Sequence, residues 1–259
     1  MTARTPALLV FTLAMMGCGS EPTTLNGQVV DIWGSALGDA TVRIESDGTS
    51  VTTDEHGYFE LSEPTLPIEI RVGKDGYIQN QLTLEATEEG RLPKPVVSLY
   101  PRPAEPGFYV VGQTGYTELE PTPVQVIGNE LSRVSGLRSI AVTTGRNPFE
   151  VIFESELRLE QVTRLGLELH RLTYSATVPV EGPFGREEAQ ANLYTSSSPV
   201  EISITPMRSK DAYRIVPEDT LEPGWYAFHI QKVLDPNNAV NLSSLPEAQK
   251  VAWAFEYKP

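Results

Sequence analysis

The stretch Ala40-Thr41-Val42-Arg43-Ile44-Glu45-Ser46-Asp47-Gly48 decides the fold class. Ala40, Val42 and Ile44 alternate with polar neighbours, the two-residue period of a strand with one buried face. Asp47-Gly48 is a hairpin signal, because both residue types accept the left-handed backbone of a tight turn. Ser50 to Thr53 then pairs back, and Asp54-Glu55-His56-Gly57 makes the next turn, with Gly57 supplying a positive φ. Tyr58 to Leu61 follows with Phe59 and Leu61 facing inward, and Ile68, Ile70 and Val72 form the next inward row. Upstream, Leu25 to Trp33 reads as a strand and Gly34 to Asp39 as a loop. Downstream, Tyr77 to Leu84 and Val96 to Tyr100 give two more strands. Seven strands at turn spacing over residues 25–101 predict a small two-sheet sandwich.

The same residues carry a family resemblance. Gly27-x-Val29-x-Asp31-x-x-Gly34, Leu37-x-Asp39-Ala40-x-Val42-x-Ile44 and Thr53-Asp54-x-x-Gly57-x-Phe59-x-Leu61 together resemble the carboxypeptidase regulatory-like domain. The resemblance implies a seven-stranded prealbumin-like fold. The chain departs from the family at Ala36-Leu37-Gly38-Asp39-Ala40, where Pro-Leu-x-Gly-Ala is common. Asp39 in the glycine place predicts that this turn does not strictly need a positive φ. Such domains accompany enzymes, transporters and surface proteins without being catalytic. Asp54 and His56 are therefore assigned to a turn and not to an acid–base pair.

The first residues tell a different story. Arg4 is the only early charge, an apolar core runs from Ala7 to Met16, and Gly17-Cys18-Gly19-Ser20 follows. That order describes an export signal over residues 1–17. Its core falls short of the roughly 20 apolar residues a membrane-spanning helix requires. Met15-Met16-Gly17-Cys18 resembles the bacterial lipobox, with Met in the place of the usual Leu. The resemblance implies that Cys18 receives a lipid and becomes the mature N-terminus, tethered to the body by residues 18–24. Gly19 after the cysteine implies sorting to the outer membrane of the bacterial envelope. Cys18 is the only cysteine, so the body has no internal disulfide, no cysteine zinc site and no thiol nucleophile.

The net charge is −14, and removing residues 1–17 takes away Arg4 alone, giving −15. So acidic a body argues against nucleic acid and against electrostatic adhesion to anionic lipid. Prolines and glycines fall between short apolar runs as turn punctuation, which extends the all-β reading to the rest of the chain. The prolines of Pro101-Arg102-Pro103-Ala104-Glu105-Pro106 make a semi-rigid linker to a second, mostly β (Ig-like or sandwich) domain at 106–259. Its predicted strands are Phe108–Gly112, Val124–Ile127, Gly136–Val142, Pro148–Phe153, Asn192–Tyr194, Val200–Ile204, Ala212–Val216, Gly224–Ile230 and Val251–Tyr257. Thr195 to Pro199 reads as a polar loop. Between Ser155 and Tyr174 we read two strands joined by a helical turn at Glu160 to Arg164, with one longer helix as the alternative; Gly166 weakens that alternative. Ala104-Glu105-Pro106-Gly107-Phe108-Tyr109-Val110 and Leu221-Glu222-Pro223-Gly224-Trp225-Tyr226-Ala227 echo each other. The second form resembles late strands of Ig-like bacterial surface domains.

No nucleophile elbow, zincin, P-loop or dinucleotide motif is present. His56, His170 and His229 lack ligand spacing, which leaves a spatial cluster open; His229 shares a strand face with Trp225 and Ala227, and His170 is predicted half-exposed. Glu154 with Glu156, and Glu187 with Glu188, read as solvated charges and not as a glycosidase pair. Asp235-Pro236-Asn237-Asn238 with Asn241 reads as a turn, since a calcium loop's glycine and closing glutamate are missing. Asn241-Leu242-Ser243 is a glycosylation sequon of little weight in a bacterium. Trp33, Tyr116, Tyr194 and Trp225 are candidate ligand-facing aromatics, with core or rim packing as the plainer reading. No catalytic residue, metal or cofactor is assigned. The sequence predicts a non-enzymatic envelope lipoprotein that binds a protein or carbohydrate ligand, or serves as scaffold. The alternative is an accessory subunit of an enzyme or of an outer-membrane transport complex acting on glycans or peptides.

Overall fold

The alternation of residues 40–44 is realised as a strand with Val42 and Ile44 buried and Thr41 and Arg43 exposed. The computed structural model describes residues 24–259, apart from 63, 89–90, 129–131, 209–210, 236–241 and 243–244. Within 24–101 lie β1 (Thr24–Asp31), β2 (Thr41–Ile44), β3 (Ser50–Thr52), β4 (Tyr58–Ser62), β5 (Ile68–Gly73), β6 (Tyr77–Ile78), β7 (Asn80–Leu84) and β8 (Val96–Pro101). They form two four-stranded sheets, β4-β1-β8-β6 and β3-β2-β5-β7. Strands β1 and β8 run parallel and the remaining pairs antiparallel. Leu25, Val29, Phe59, Leu61 and Leu99 from the first sheet meet Val42, Ile70, Val72 and Leu84 from the second. Every inward residue predicted from the alternation is in this core.

Two local expectations need correction. The predicted strand 77–84 is divided at Gln79, and its halves join opposite sheets. Ile78 is drawn into a separate apolar cluster with Tyr109, Val111 and Ile152, whereas Leu82 and Leu84 pack in the first core. Asp39 adopts φ +55, so the turn does take a left-handed residue there. Aspartate tolerates this region better than most side chains. The loop is pinned around it: the Ala40 N–H donates to Thr53 Oγ1, and the Thr53 hydroxyl donates to the Leu37 carbonyl. At Gly57 the φ is +77, and a Cβ would lie 2.3 Å from the Val29 carbonyl oxygen, so the turn needs glycine on both counts.

The rest of the chain adds β9 (Gly107–Val111), β10 (Tyr116–Leu119), β11 (Pro121–Pro123), β12 (Gln125–Gly128), β13 (Arg133–Leu137), β14 (Val142–Thr144) and β15 (Val151–Glu154). After these come α1 (Leu159–Arg164), β16 (Glu168–Gly182), β17 (Gly185–Val200), β18 (Ile202–Pro206), β19 (Ala212–Pro217), β20 (Gly224–His229) and β21 (Val251–Tyr257). A five-stranded sheet, β10-β9-β15-β19-β18, packs on a larger one, β11-β21-β20-β16-β17-β13-β12, to which β14 adds beside β21. The protein is thus all-β, as predicted. Between these two sheets Phe108 stacks on Phe228 at 5.3 Å, and Phe149 on Phe255 at 4.7 Å.

The helical turn α1 lies where the sequence put it, closed by Gly166 at φ +62. The strand expected between Ser155 and this turn is absent: residues 155–158 are irregular, and the helix takes up Leu159. The predicted strand 136–142 is broken into β13 and β14, which pair with different partners. Thr195 to Pro199 is not a loop but part of β17. Serines and threonines suit a strand flanked by water, and Ser196 and Ser198 pair with Leu172 and Arg171 around a bulge. The echoed Glu-Pro-Gly-x-Tyr segments have one structure. The Tyr109 hydroxyl donates to the Glu105 carbonyl at 3.0 Å, and the Tyr226 hydroxyl to the Glu222 carbonyl at 2.7 Å. Each tyrosine reaches back four residues to brace the entry of its strand, in the manner of a tyrosine corner.

Candidate functional site

Three places gather polar or aromatic side chains. The first is the junction between the two sandwiches. Ile32, Ile78 and Tyr100 pack against Tyr109, Val111 and Ile152. Trp33 meets Tyr116 edge to face at 5.3 Å and donates its indole N–H to the Gly112 carbonyl. The buried Glu150 carboxylate accepts the Tyr100 hydroxyl at 2.6 Å and pairs with the Arg214 guanidinium. Burial, then this carboxylate, pushes the Tyr100 hydroxyl up to about 12. Glu154 is not the solvated charge expected from sequence. It is buried and paired with Arg102 at 2.8 Å, and desolvation pushes its carboxyl up against the opposing effect of Arg102. Trp33 and Tyr116 are therefore junction residues. Glu156, Glu187 and Glu188 are exposed, as predicted.

The second place is an apolar cleft of about 310 Å³ between the five-stranded and larger sheets, lined by Phe108, Leu119, Phe153, Leu165, Leu167 and Trp253. Glu118, Glu154 and Ser155 border it, and among the described residues no histidine does.

The third is the outer face of the larger sheet. Residues directly opposite in an antiparallel pair share a face. Glu168 lies opposite His229, His170 opposite Ala227, and Leu172 opposite Trp225. Tyr174 lies opposite Tyr194 on the next strand. One face therefore carries Glu168, His170, Leu172 and Tyr174 of β16, with Trp225, Ala227 and His229 of β20. Tyr174 meets Tyr194 at 5.4 Å and Tyr194 meets Trp225 at 5.2 Å, both edge to face. Tyr174 is 47% exposed and donates its hydroxyl to Asn192 Oδ1 at 3.1 Å. Tyr194 and Trp225 are half-buried. Tyr194 and Trp225, singled out from sequence, belong to one row with Tyr174, which was not.

At the other end of this face the chain folds back over the sheet. Gln231 and Lys232 are both left-handed, at φ +53 and +57, and the Gln231 N–H donates to the Leu165 carbonyl at the end of α1. Val233, Leu234 and Leu242 then pack on Leu172, Ala227, Ala252 and Ala254. On the same face His170 and His229 meet at 4.5 Å between ring centres. His170 Nδ1 lies 2.6 Å from Ser196 Oγ, and its Nε2 lies 3.2 Å from Glu168 Oε2. His229 Nε2 lies 3.8 Å from the same oxygen. His170 is buried, not half-exposed, packed against His229, Ser196 and Glu168. His229 is fully buried and neither ring nitrogen makes a hydrogen bond of good geometry. Burial, then the neighbouring His170, pushes its imidazole down to about 3, against the pull of Asp235.

His56 stays apart, exposed in the turn where Asp54 Oδ1 accepts the N–H groups of His56 and Tyr58. Cys18 and the sequence around it lie outside the described residues, as does the Asp235 loop from Pro236 to Asn241. Glu168 went unremarked in the sequence, although its spacing of two from His170 on a strand places both on one face.

The sequence matches no protein-family profile and no curated protein. Among solved structures, the chain is similar to BcpA, the major pilin subunit of Bacillus cereus, at 12% identity over 92% of this chain and 69% of that one, with a TM-score of 0.21. It is also similar to a "putative carbohydrate binding protein" of Bacteroides uniformis, at 11% identity over 80% of this chain and 88% of that one, with a TM-score of 0.24. Superpositions this loose carry no argument about function.

Proposed function

We propose that this chain is a non-enzymatic envelope lipoprotein, held at the outer membrane by a lipid on Cys18, whose joined sandwiches present a binding face. The observation that carries the binding role is the row Tyr174–Tyr194–Trp225, partly open to solvent on a sheet held rigid from behind by a packed core. Aromatic rings with adjacent amide and carboxylate groups suit sugar rings, which stack their C–H faces on π surfaces and hydrogen-bond at their edges. Asn192 and Glu256 supply those polar groups beside Tyr174 and Trp225. A carbohydrate is therefore the ligand class we favour, with a protein partner as the alternative outcome. The junction supports a scaffold role, since its apolar cluster, the Tyr100–Glu150 hydrogen bond and the Arg102–Glu154 ion pair hold the sandwiches together.

Binding of the full chain to an array of envelope glycans tests the face. Tyr174→Ala is exposed enough to leave folding intact, and it is expected to weaken glycan binding at least tenfold. Unchanged binding by this variant would remove the face from consideration, and retention of a protein but no glycan would favour the protein reading. Metabolic labelling with a palmitate analogue tests the anchor: Cys18→Ala is expected to lose the label, and equal label in both chains refutes it.

A further inference from the structure

Glu168, His170 and His229 converge on one point, with one ligand atom from each lying within 4.8 Å of the others. We propose that they bind a single divalent transition-metal ion of the zinc class, which pins β16 to the end of β20 on the outer face of the sheet. This inference is independent of the aromatic row and of the lipid.

The distances suit such an ion. Zinc bonds nitrogen at about 2.0–2.1 Å and oxygen at about 2.0–2.2 Å, so a tetrahedral site separates its ligand atoms by roughly 3.3 Å. The observed separations from Glu168 Oε2 are 3.2 Å to His170 Nε2 and 3.8 Å to His229 Nε2. The donor set selects the metal class: two imidazoles and one carboxylate suit zinc and its first-row neighbours, whereas calcium and magnesium require oxygen. Three protein ligands leave the fourth tetrahedral position to solvent or a further donor.

Two features point to a ligand and not to chance proximity. His229 is fully buried, and neither ring nitrogen makes a hydrogen bond of good geometry, the Ile230 backbone being its nearest polar neighbour on its own strand end. Buried polar groups in folded proteins are almost always partnered, and this one points at a carboxylate that it does not reach. In addition, Ser196 engages Nδ1 of His170, which fixes that ring and directs Nε2 toward the site. Such outer hydrogen bonds orient the histidines of metal centres. The site joins β16 to β20, so an ion there resists separation of the two strands where β20 ends.

The test uses the full chain carrying Cys18→Ser, which removes the thiol's own affinity for metal, with ¹⁵N-labelled histidine. After chelator treatment, Zn²⁺ alone is added. The ring signals of His170 and His229 are expected to move together and saturate at one equivalent, while those of exposed His56 stay in place. Amide exchange at the paired strand ends, residues 168–170 and 227–229, is expected to slow on saturation. Glu168→Gln is expected to weaken Zn²⁺ binding at least tenfold. Response of His56 alone, no response at millimolar Zn²⁺, or equal affinity in a folded Glu168→Gln chain would overturn the site. Should that variant fail to fold, the histidine signals of the parent chain decide the matter alone.

Discussion

Replacing Tyr100 by Phe removes one hydroxyl from the junction and should destabilise the protein in a pH-dependent way. The hydroxyl donates at 2.6 Å to Glu150, whose side chain is only 7% exposed. Hydrogen bonds to a charged group contribute about 1.5–3 kcal/mol. Glu150 keeps its Arg214 partner in the variant, so no orphaned charge is added, and the lower part of that range applies. The acidity of the hydroxyl gives a second figure. A rise from 10.0 to about 12 corresponds to two times 1.36, or roughly 2.7 kcal/mol at most. The ring is only partly buried and burial is the leading cause, so the fraction belonging to the bond is smaller. Both routes lead to about 1.5–2 kcal/mol. The sign follows from linkage: the folded-state value lies above the unfolded one, so this stabilisation is whole below pH 10 and disappears as pH climbs from 10 to 12. Urea denaturation of parent and Tyr100→Phe chains should show that gap at pH 8 and its closure toward pH 12. The other tyrosines titrate in both chains and cancel in the difference. A gap below about 0.5 kcal/mol at pH 8, or one constant with pH, would refute the assignment of this hydroxyl to the buried carboxylate.

The two braced strand entries make a paired prediction: Tyr226→Phe and Tyr109→Phe should each lose about 1 kcal/mol by the same denaturation, with the shorter, deeper Tyr226 bond losing more. A neutral Tyr226→Phe would show that the echoed segments share shape without sharing a stabilising bond. Gly57→Ala and Gly76→Ala compare two left-handed glycines, at φ +77 and +79, of which only the first lies against other atoms. Gly76→Ala should cost about 1 kcal/mol from backbone conformation, and Gly57→Ala clearly more, because its methyl would strike the Val29 carbonyl. Equal losses in melting experiments would mean that the turn relaxes freely around residue 57.

The first sandwich was legible because β2, β4 and β5 keep their buried apolar residues on one face. Val42, Ile44, Phe59, Leu61, Ile68, Ile70 and Val72 all point inward as their alternation requires. Errors arose where a residue's partner is distant in sequence. Ile78 leaves the strand predicted for it to fill the junction with Tyr109 and Ile152, and no local pattern announces that. Glu154 looks solvated in sequence, since nothing near it discloses Arg102 as its partner or the strand that buries it. The serine and threonine run at 195–199 lacks apolar alternation, yet it is held in β17 by main-chain pairing to β16, which is blind to side-chain polarity.

The histidine cluster shows where parity ends and register begins. Leu169, Tyr226 and Phe228 are drawn into the core between the sheets. Since neighbours on a strand face opposite ways, Glu168, His170 and His229 must lie on the outer face, and this much follows from the sequence. Which outward residue of β20 stands opposite Glu168 depends on how far the two strands slide along each other. A slip of two residues would preserve every inward contact pattern while setting Glu168 against Ala227 or beyond the end of β20, and the three side chains would not meet. The observed register is fixed elsewhere, by the Tyr226 brace at the start of β20 and by the turn at Gln231 and Lys232 after its end, which hydrogen-bonds to the end of α1. The convergence of Glu168, His170 and His229 is thus set by how β20 begins and ends, so disturbing either end should displace the site even when all three side chains are left intact.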